Sequence, residues 1–160
     1  EVRFASNTTD ICTVTAQGDI TQKRVGTCII SAHQSGNAHY LPFNGIQKIE
    51  MIAAKPSISN LGNLTVTYAR NKTISLNLKS TSPGKLSYES SNPRVATVNQ
   101  QGLITILDGT GGTPITITVR QAAAGLYAAL KETITLTVKQ RDSELKQIYG
   151  KGQIVLTDEE

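Results

Sequence analysis

Tyr88-Glu89-Ser90-Ser91-Asn92-Pro93-Arg94-Val95-Ala96-Thr97-Val98, followed by Gln101-Gly102-Leu103-Ile104, decides the fold, because an earlier part of the chain lies over it. Phe4 to Thr21 superposes on Tyr88 to Thr105 at a constant offset of 84 residues: Phe4 on Tyr88, Ser6 on Ser90, Ile11 on Val95, Val14 on Val98, Gly18 on Gly102 and Ile20 on Ile104. After a three-residue length difference the offset becomes 87, and Cys28 meets Ile115, Gln34 meets Gln121, Tyr40 meets Tyr127 and Ile49 meets Leu136. Self-similarity at a fixed period is the mark of a unit used more than once.

Working outward, the matched blocks read as strands. Ile115, Ile117 and Val119 alternate with Thr116 and Thr118, and Ile134, Leu136 and Val138 alternate with threonines in the same way. Such period-two alternation places apolar side chains on one face of a sheet. Ile74, Leu76 and Leu78 form a third run, and Leu64, Val66 and Tyr68 a fourth. Breaks fall at Ser82-Pro83-Gly84, Asn92-Pro93, Gln101-Gly102 and Asp108 to Gly112, all of them turn chemistry. Short strands at this spacing indicate a two-sheet sandwich, so the expected fold class is all-β, with two such sandwiches in tandem of which the first is incomplete at its N-terminus.

The expected organisation is a partial module over 1–52, a complete module over 53–139 and a tail, or the start of a further segment, over 140–160. Module one begins at the equivalent of Tyr88, so about 30 residues that would hold its first strands are not in the sequence. Either residue 1 is an artificial or proteolytic boundary, or another chain supplies those strands. The chain opens on Glu1 with no leader-like segment and is expected to be an excised or processed piece of something longer. In the tail, Gln153-Ile154-Val155-Leu156 is a strand-like tetrad that would begin a third module or pair with a neighbour.

Composition agrees with this reading. Among 160 residues there is no tryptophan, and aromatics make up 4%, which suits short strands and polar turns better than a large α/β enzyme core. The net charge of +4 comes from scattered single cations such as Arg3, Lys55 and Arg94. Nucleic-acid binding needs clustered cations, so it is not expected. No run of about 18 apolar residues exists, and membrane insertion is not expected either.

The quoted stretch resembles the signature of group 2 bacterial immunoglobulin-like domains. Ile11-Cys12-Thr13-Val14, Val25-Gly26-Thr27-Cys28 and Gln34-Ser35-Gly36-Asn37-Ala38-His39-Tyr40 resemble a cysteine-bearing variant of such repeats. The resemblance implies modular extension, since these domains are strung along intimin- and invasin-like adhesins and decorate phage tail and capsid proteins. It further implies an extracellular, cell-surface or virion-surface location. The implied partners are neighbouring modules or subunits, and a surface receptor or polysaccharide.

Candidate sites are few. Cys12 and Cys28 are the only cysteines and lack the Cys-x-x-Cys spacing of metal or redox sites. They are expected to form a disulfide, worth roughly 3 kcal/mol on chain-entropy grounds and typical of an oxidising compartment, with two buried thiols as the alternative. A Cys-His hydrolase built with His33 or His39 would need a free thiolate, and no catalytic residue is assigned. Asp10, Asp19 and Asp108 lie in turns, but no Asp-x-Asp spacing suggests a calcium site, so no metal or cofactor is expected. Asn7, Asn63 and Asn71 head Asn-x-Ser/Thr triplets that a threonine-rich chain makes readily by chance.

Two loop positions remain. Tyr40 and Tyr127 share a repeat position and are expected to pack on their own sandwiches, with the hydroxyl tied to backbone. The Ala-rich loop from Gln121 to Leu130 carries Gly125, Leu126 and Tyr127 at its tip, a candidate contact loop or a surface packed against a neighbouring module. Three functions follow: a non-enzymatic spacer in a surface fibre, a binding module using sandwich-end loops, and a filament subunit assembled by strand addition between chains.

Overall fold

The computed structural model describes residues 1–141, and its regular elements are all strands. The tetrad Gln153 to Leu156 lies outside the described residues. The chain divides into two compact units that are discontinuous in sequence. One contains Glu1–Ser57 with Ser80–Lys85 and Gln121–Leu130; the other is built on Ile58–Lys79, Leu86–Arg120 and the chain from Lys131 onward.

The first unit holds β1 (Val2–Ser6), β2 (Cys12–Val14), β3 (Ile20–Gln22), β4 (Gly26–Gln34) and β5 (Phe43–Met51). β4 is central, pairing antiparallel with β1 (Phe4 opposite Ala32) and with β5 (Cys28 opposite Ile49), while β2 and β3 form a separate ribbon. Alternation along β4 turns Cys28 and Ile30 inward, where they meet Cys12 of the ribbon. Ile11, Val14, Ile49 and Met51 complete this small core, each only partly buried. Cys12 and Cys28 are joined in a disulfide, with Cα atoms 5.7 Å apart, so a covalent bond ties ribbon to sheet where apolar packing is thin.

The second unit is built on β6 (Ile58–Ser59), β7 (Leu64–Thr67), β8 (Thr73–Ser75), β9 (Lys79–Ser80), β10 (Leu86–Ser90), β11 (Ala96–Val98), β12 (Leu103–Ile106), β13 (Ile115–Gln121) and β14 (Leu130–Lys139), of which the end residues Ser80, Gln121 and Leu130 belong to the first unit. One sheet runs β10-β13-β14-β7 and the other β11-β12-β8, with β6 and β9 as a small pair at the side. β7 lies parallel to β14, Leu64 opposite Leu136 and Val66 opposite Val138. The inward residues are those the alternation marks: Ile115, Ile117 and Val119 from β13, and Ile134, Leu136 and Val138 from β14. Ile104, Ile106, Ala96 and Leu76 meet them from the opposite sheet and its flank. This is an all-β sandwich, as the period-two pattern indicates.

The repeated sequence produces repeated hydrogen bonds. Asn7 N donates to Ile29 O at 2.8 Å as Ser91 N does to Thr116 O at 2.9 Å. Cys12 N donates to Thr8 O as Ala96 N does to Asn92 O, and Gly18 N to Thr15 O as Gly102 N to Asn99 O. At Asn92-Pro93 the side-chain oxygen of Asn92 accepts from Arg94 N at 3.2 Å, so this turn is held by its asparagine as well as by the fixed φ of proline.

One expected strand is shorter than its alternation suggests. The run Ile74 to Leu78 stops pairing at Ser75, because Asn77 takes φ 46° and turns the chain. Ser75 Oγ donates to Asn77 Oδ1 at 2.9 Å, and Asn60 Nδ2 donates to Asn77 O at 2.9 Å. A local side-chain bond thus competes successfully with the ladder, while Leu76 still reaches the core.

Candidate contact surface

The loop from Gln121 to Leu130 is anchored at its start. Gln121 is 3% exposed; its Oε1 accepts from Ser80 Oγ at 2.7 Å and its Nε2 donates to Ser82 O at 3.1 Å and Gly84 O at 2.7 Å. A buried amide with both ends satisfied fixes these segments. Gly84 lies so close to Ala122 O that a Cβ at this position would collide with backbone. The tip is a tight turn in which Ala124 and Tyr127 exchange backbone hydrogen bonds around Gly125 at φ 58°.

The three candidate contact residues have different surroundings. Gly125 is exposed, whereas Leu126 and Tyr127 are half-buried. The carbonyl of Leu126 accepts from Ala54 N at 2.8 Å, and Ala128 N donates to Ala54 O at 2.9 Å, so Ala54 bridges to Tyr127 like one residue of an added strand. The backbone of this loop is therefore occupied by Ala54, and Pro56 two residues on is buried. Gly125 is exposed at the tip, as are Ala122, Ala123 and Ala129 elsewhere in the loop, and Leu126 and Tyr127 each keep part of their surface outward.

Tyr40 corrects the sequence expectation. It is 73% exposed, beside Leu41 at 90%, and its hydroxyl has no hydrogen-bond partner among the described residues. Asn37 explains this: its Oδ1 accepts from His39 N at 2.8 Å and Tyr40 N at 2.9 Å, closing a turn that throws the aromatic ring out. Phe43 and Ile46, on opposite faces of β5, are exposed as well, which the repeat gave no sign of. The pattern reports equivalent positions, and burial depends on what covers them.

The remaining candidates do not converge. Both cysteines are in the disulfide, so no thiol faces a histidine; His33 Nδ1 lies 2.6 Å from Asn44 Oδ1 on the surface. Among the described residues no three His, Cys, Asp or Glu side chains gather. Asp19 is bound up with Thr15 Oγ1, and Asp108 Oδ1 accepts from Gly109 N at 2.8 Å. Asn7 Oδ1 accepts from Ser31 Oγ, Asn63 Oδ1 accepts from Thr135 N, and Asn71 occupies a positive-φ turn. Burial pushes the Tyr88 phenol above its ordinary value of 10.0, because its ring packs over Gly102. No helix among the described residues is long and apolar enough to cross a membrane.

Comparison with known proteins adds one family. Residues 76–122, which begin just after β8 and run through β13, match the model of the intimin immunoglobulin-like domain. No curated protein matches the chain. Among solved structures, domains 4–9 of the surface layer protein SbsC resemble it at TM-score 0.41 and 13% identity over 88% of this chain. The chain spans only 22% of that structure. Drosophila N-cadherin EC1-3 gives TM-score 0.42 at 10% identity, covering 88% of this chain and 56% of that one. Human protocadherin-24 EC1-2 gives 0.37 at 9%, covering 88% and 82%. Residues 76–122, whose turns and inward strand faces carry the quoted signature, are thus the part of the chain that is similar to a bacterial immunoglobulin-like domain.

Proposed function

We propose that this chain is a non-enzymatic structural module of an extracellular fibre on a cell or virion surface, serving to extend and stiffen the array. The observation that supports this reading best is where its distinctive residues are spent. The family signature over 76–122 goes into core and turns: Val95 and Ala96 are buried, Asn92 caps a turn, and Gly102 makes room for Tyr88. The disulfide closes a 16-residue separation in the unit with the thinner core, which is the economy of a small domain outside a reducing compartment. The loop from Gln121 to Leu130 has a packing role within its own unit, where the Leu126 carbonyl and the Ala128 amide hold Ala54 through backbone bonds.

Mechanical extension of the 160-residue chain tests this. In oxidising buffer each unit should resist force before unfolding. Reductant should lengthen the first unit's step by about 50 Å, the reach of the freed Cys12 to Cys28 loop. Extension without a resisting step, or one indifferent to reductant, would sink the mechanical role.

A further inference from the structure

Gln34 and Gln121 stand at the same place in the repeated pattern, 87 residues apart, and only one of them is satisfied. Gln121 is buried and bonded to Ser80, Ser82 and Gly84, as described above. Gln34, at the end of β4, is exposed and makes no such bonds among the described residues. Three other positions repeat the asymmetry. Ile104 is 0% exposed opposite Ile74 of β8, whereas its counterpart Ile20 is 37% exposed and the outer edge of β3 is unpaired among the described residues. Leu136 is fully buried opposite Leu64 of β7, while Ile49 is only half-buried on β5, whose outer edge is likewise unpaired there. The Leu126 carbonyl and Ala128 amide hold Ala54, but the equivalent His39 carbonyl and Leu41 amide have no partner among the described residues.

All four satisfied positions are satisfied by one continuous stretch, Ala54 to Gly84. We propose that Gln34, Ile20, Ile49 and the His39–Leu41 turn form a docking surface for an extended polypeptide segment with the chemistry of Ala54–Gly84. Its small residues would bridge to the His39–Leu41 turn as Ala54 bridges to Tyr127. Aliphatic residues at the register of Leu64 and Val66 would run parallel along β5 over Ile49 and Met51, and one at the register of Ile74 would lie opposite Ile20. A closing Ser-x-Ser-x-Gly turn would then supply the donor and the carbonyls that Gln34 lacks. Unpaired strand edges beside apolar surface are what strand addition stabilises, and alternate side chains confer its specificity. The inference does not depend on the mechanical role, since the surface would bind its segment whether or not the fibre bears load.

The test is a synthetic peptide of Ala54–Gly84 added to the 160-residue chain, read by native mass spectrometry and hydrogen exchange. A one-to-one complex is expected, with new protection in β3 and β5. Ile20→Lys and Gln34→Ala should each weaken it, the first by about tenfold or more, and a peptide carrying Val66→Asp and Ile74→Asp should not bind. Because Ile20 is already partly exposed, the Ile20→Lys chain should stay folded by circular dichroism. As a second measurement, a copy of Ala54–Gly84 fused ahead of Glu1 should raise the first unit's Tm and protect the same strands. The proposal is overturned by no complex, by a complex indifferent to both substitutions, by copies of the chain pairing with each other through this face in place of the peptide, or by a fusion that leaves Tm and protection unchanged.

Discussion

At the scale of single residues, the repeat is most exacting at its glycines. Gly102 takes φ 76° and Gly18 φ 93°, and each lies against the aromatic ring that precedes it by 14 residues, Tyr88 and Phe4. A Cβ at Gly102 would come within 3.0 Å of the Tyr88 ring and 3.1 Å of its hydroxyl. Gly102→Ala therefore combines backbone strain with a clash, and denaturant unfolding should show a loss of roughly 1–3 kcal/mol. No loss would mean that the hairpin relaxes elsewhere. This glycine was legible in the sequence, since the hairpin turn itself demands positive φ. The exposure of Tyr40 was not legible, because the Asn37 side chain that ejects it acts through a local turn, which alignment with Tyr127 hides.

Among the elements, alternation identified the inward faces of β13 and β14 correctly but overran the end of β8, where Asn77 turns the chain. Pairing then decides how much each inward side chain contributes. Leu136 sits on β14 between β13 and β7, whereas Ile49 sits on β5 with a neighbour on one side only among the described residues. Leu136→Ala should cost about 2–5 kcal/mol in the stability of its unit. Ile49→Ala should cost clearly less, because part of its surface is already in water. Equal losses in equilibrium unfolding would show that the outer edge of β5 is covered after all. The loop from Gln121 to Leu130 was legible as a loop of unusual composition, but its hold on Ala54 was not. That bridge joins residues more than 70 apart by backbone groups alone, and backbone bonds leave no side-chain signal.

For the whole molecule, the account is that one strand pattern is used twice and stabilised in two ways. In the unit built on Ile58–Lys79, Leu86–Arg120 and the chain from Lys131, strands β7 and β8 close the sandwich over a large apolar core. In the unit built on Glu1–Ser57, a disulfide offsets a core of three buried residues and their partly buried neighbours. Among the described residues, neither unit brings three His, Cys, Asp or Glu side chains together. The measurement that tests this most directly is native-state hydrogen exchange with and without reductant. The account predicts that reductant strips protection from β2, β3 and β4 while the amides of Ile104, Ile117 and Leu136 keep theirs. Loss of protection in both units together, or in neither, would contradict it.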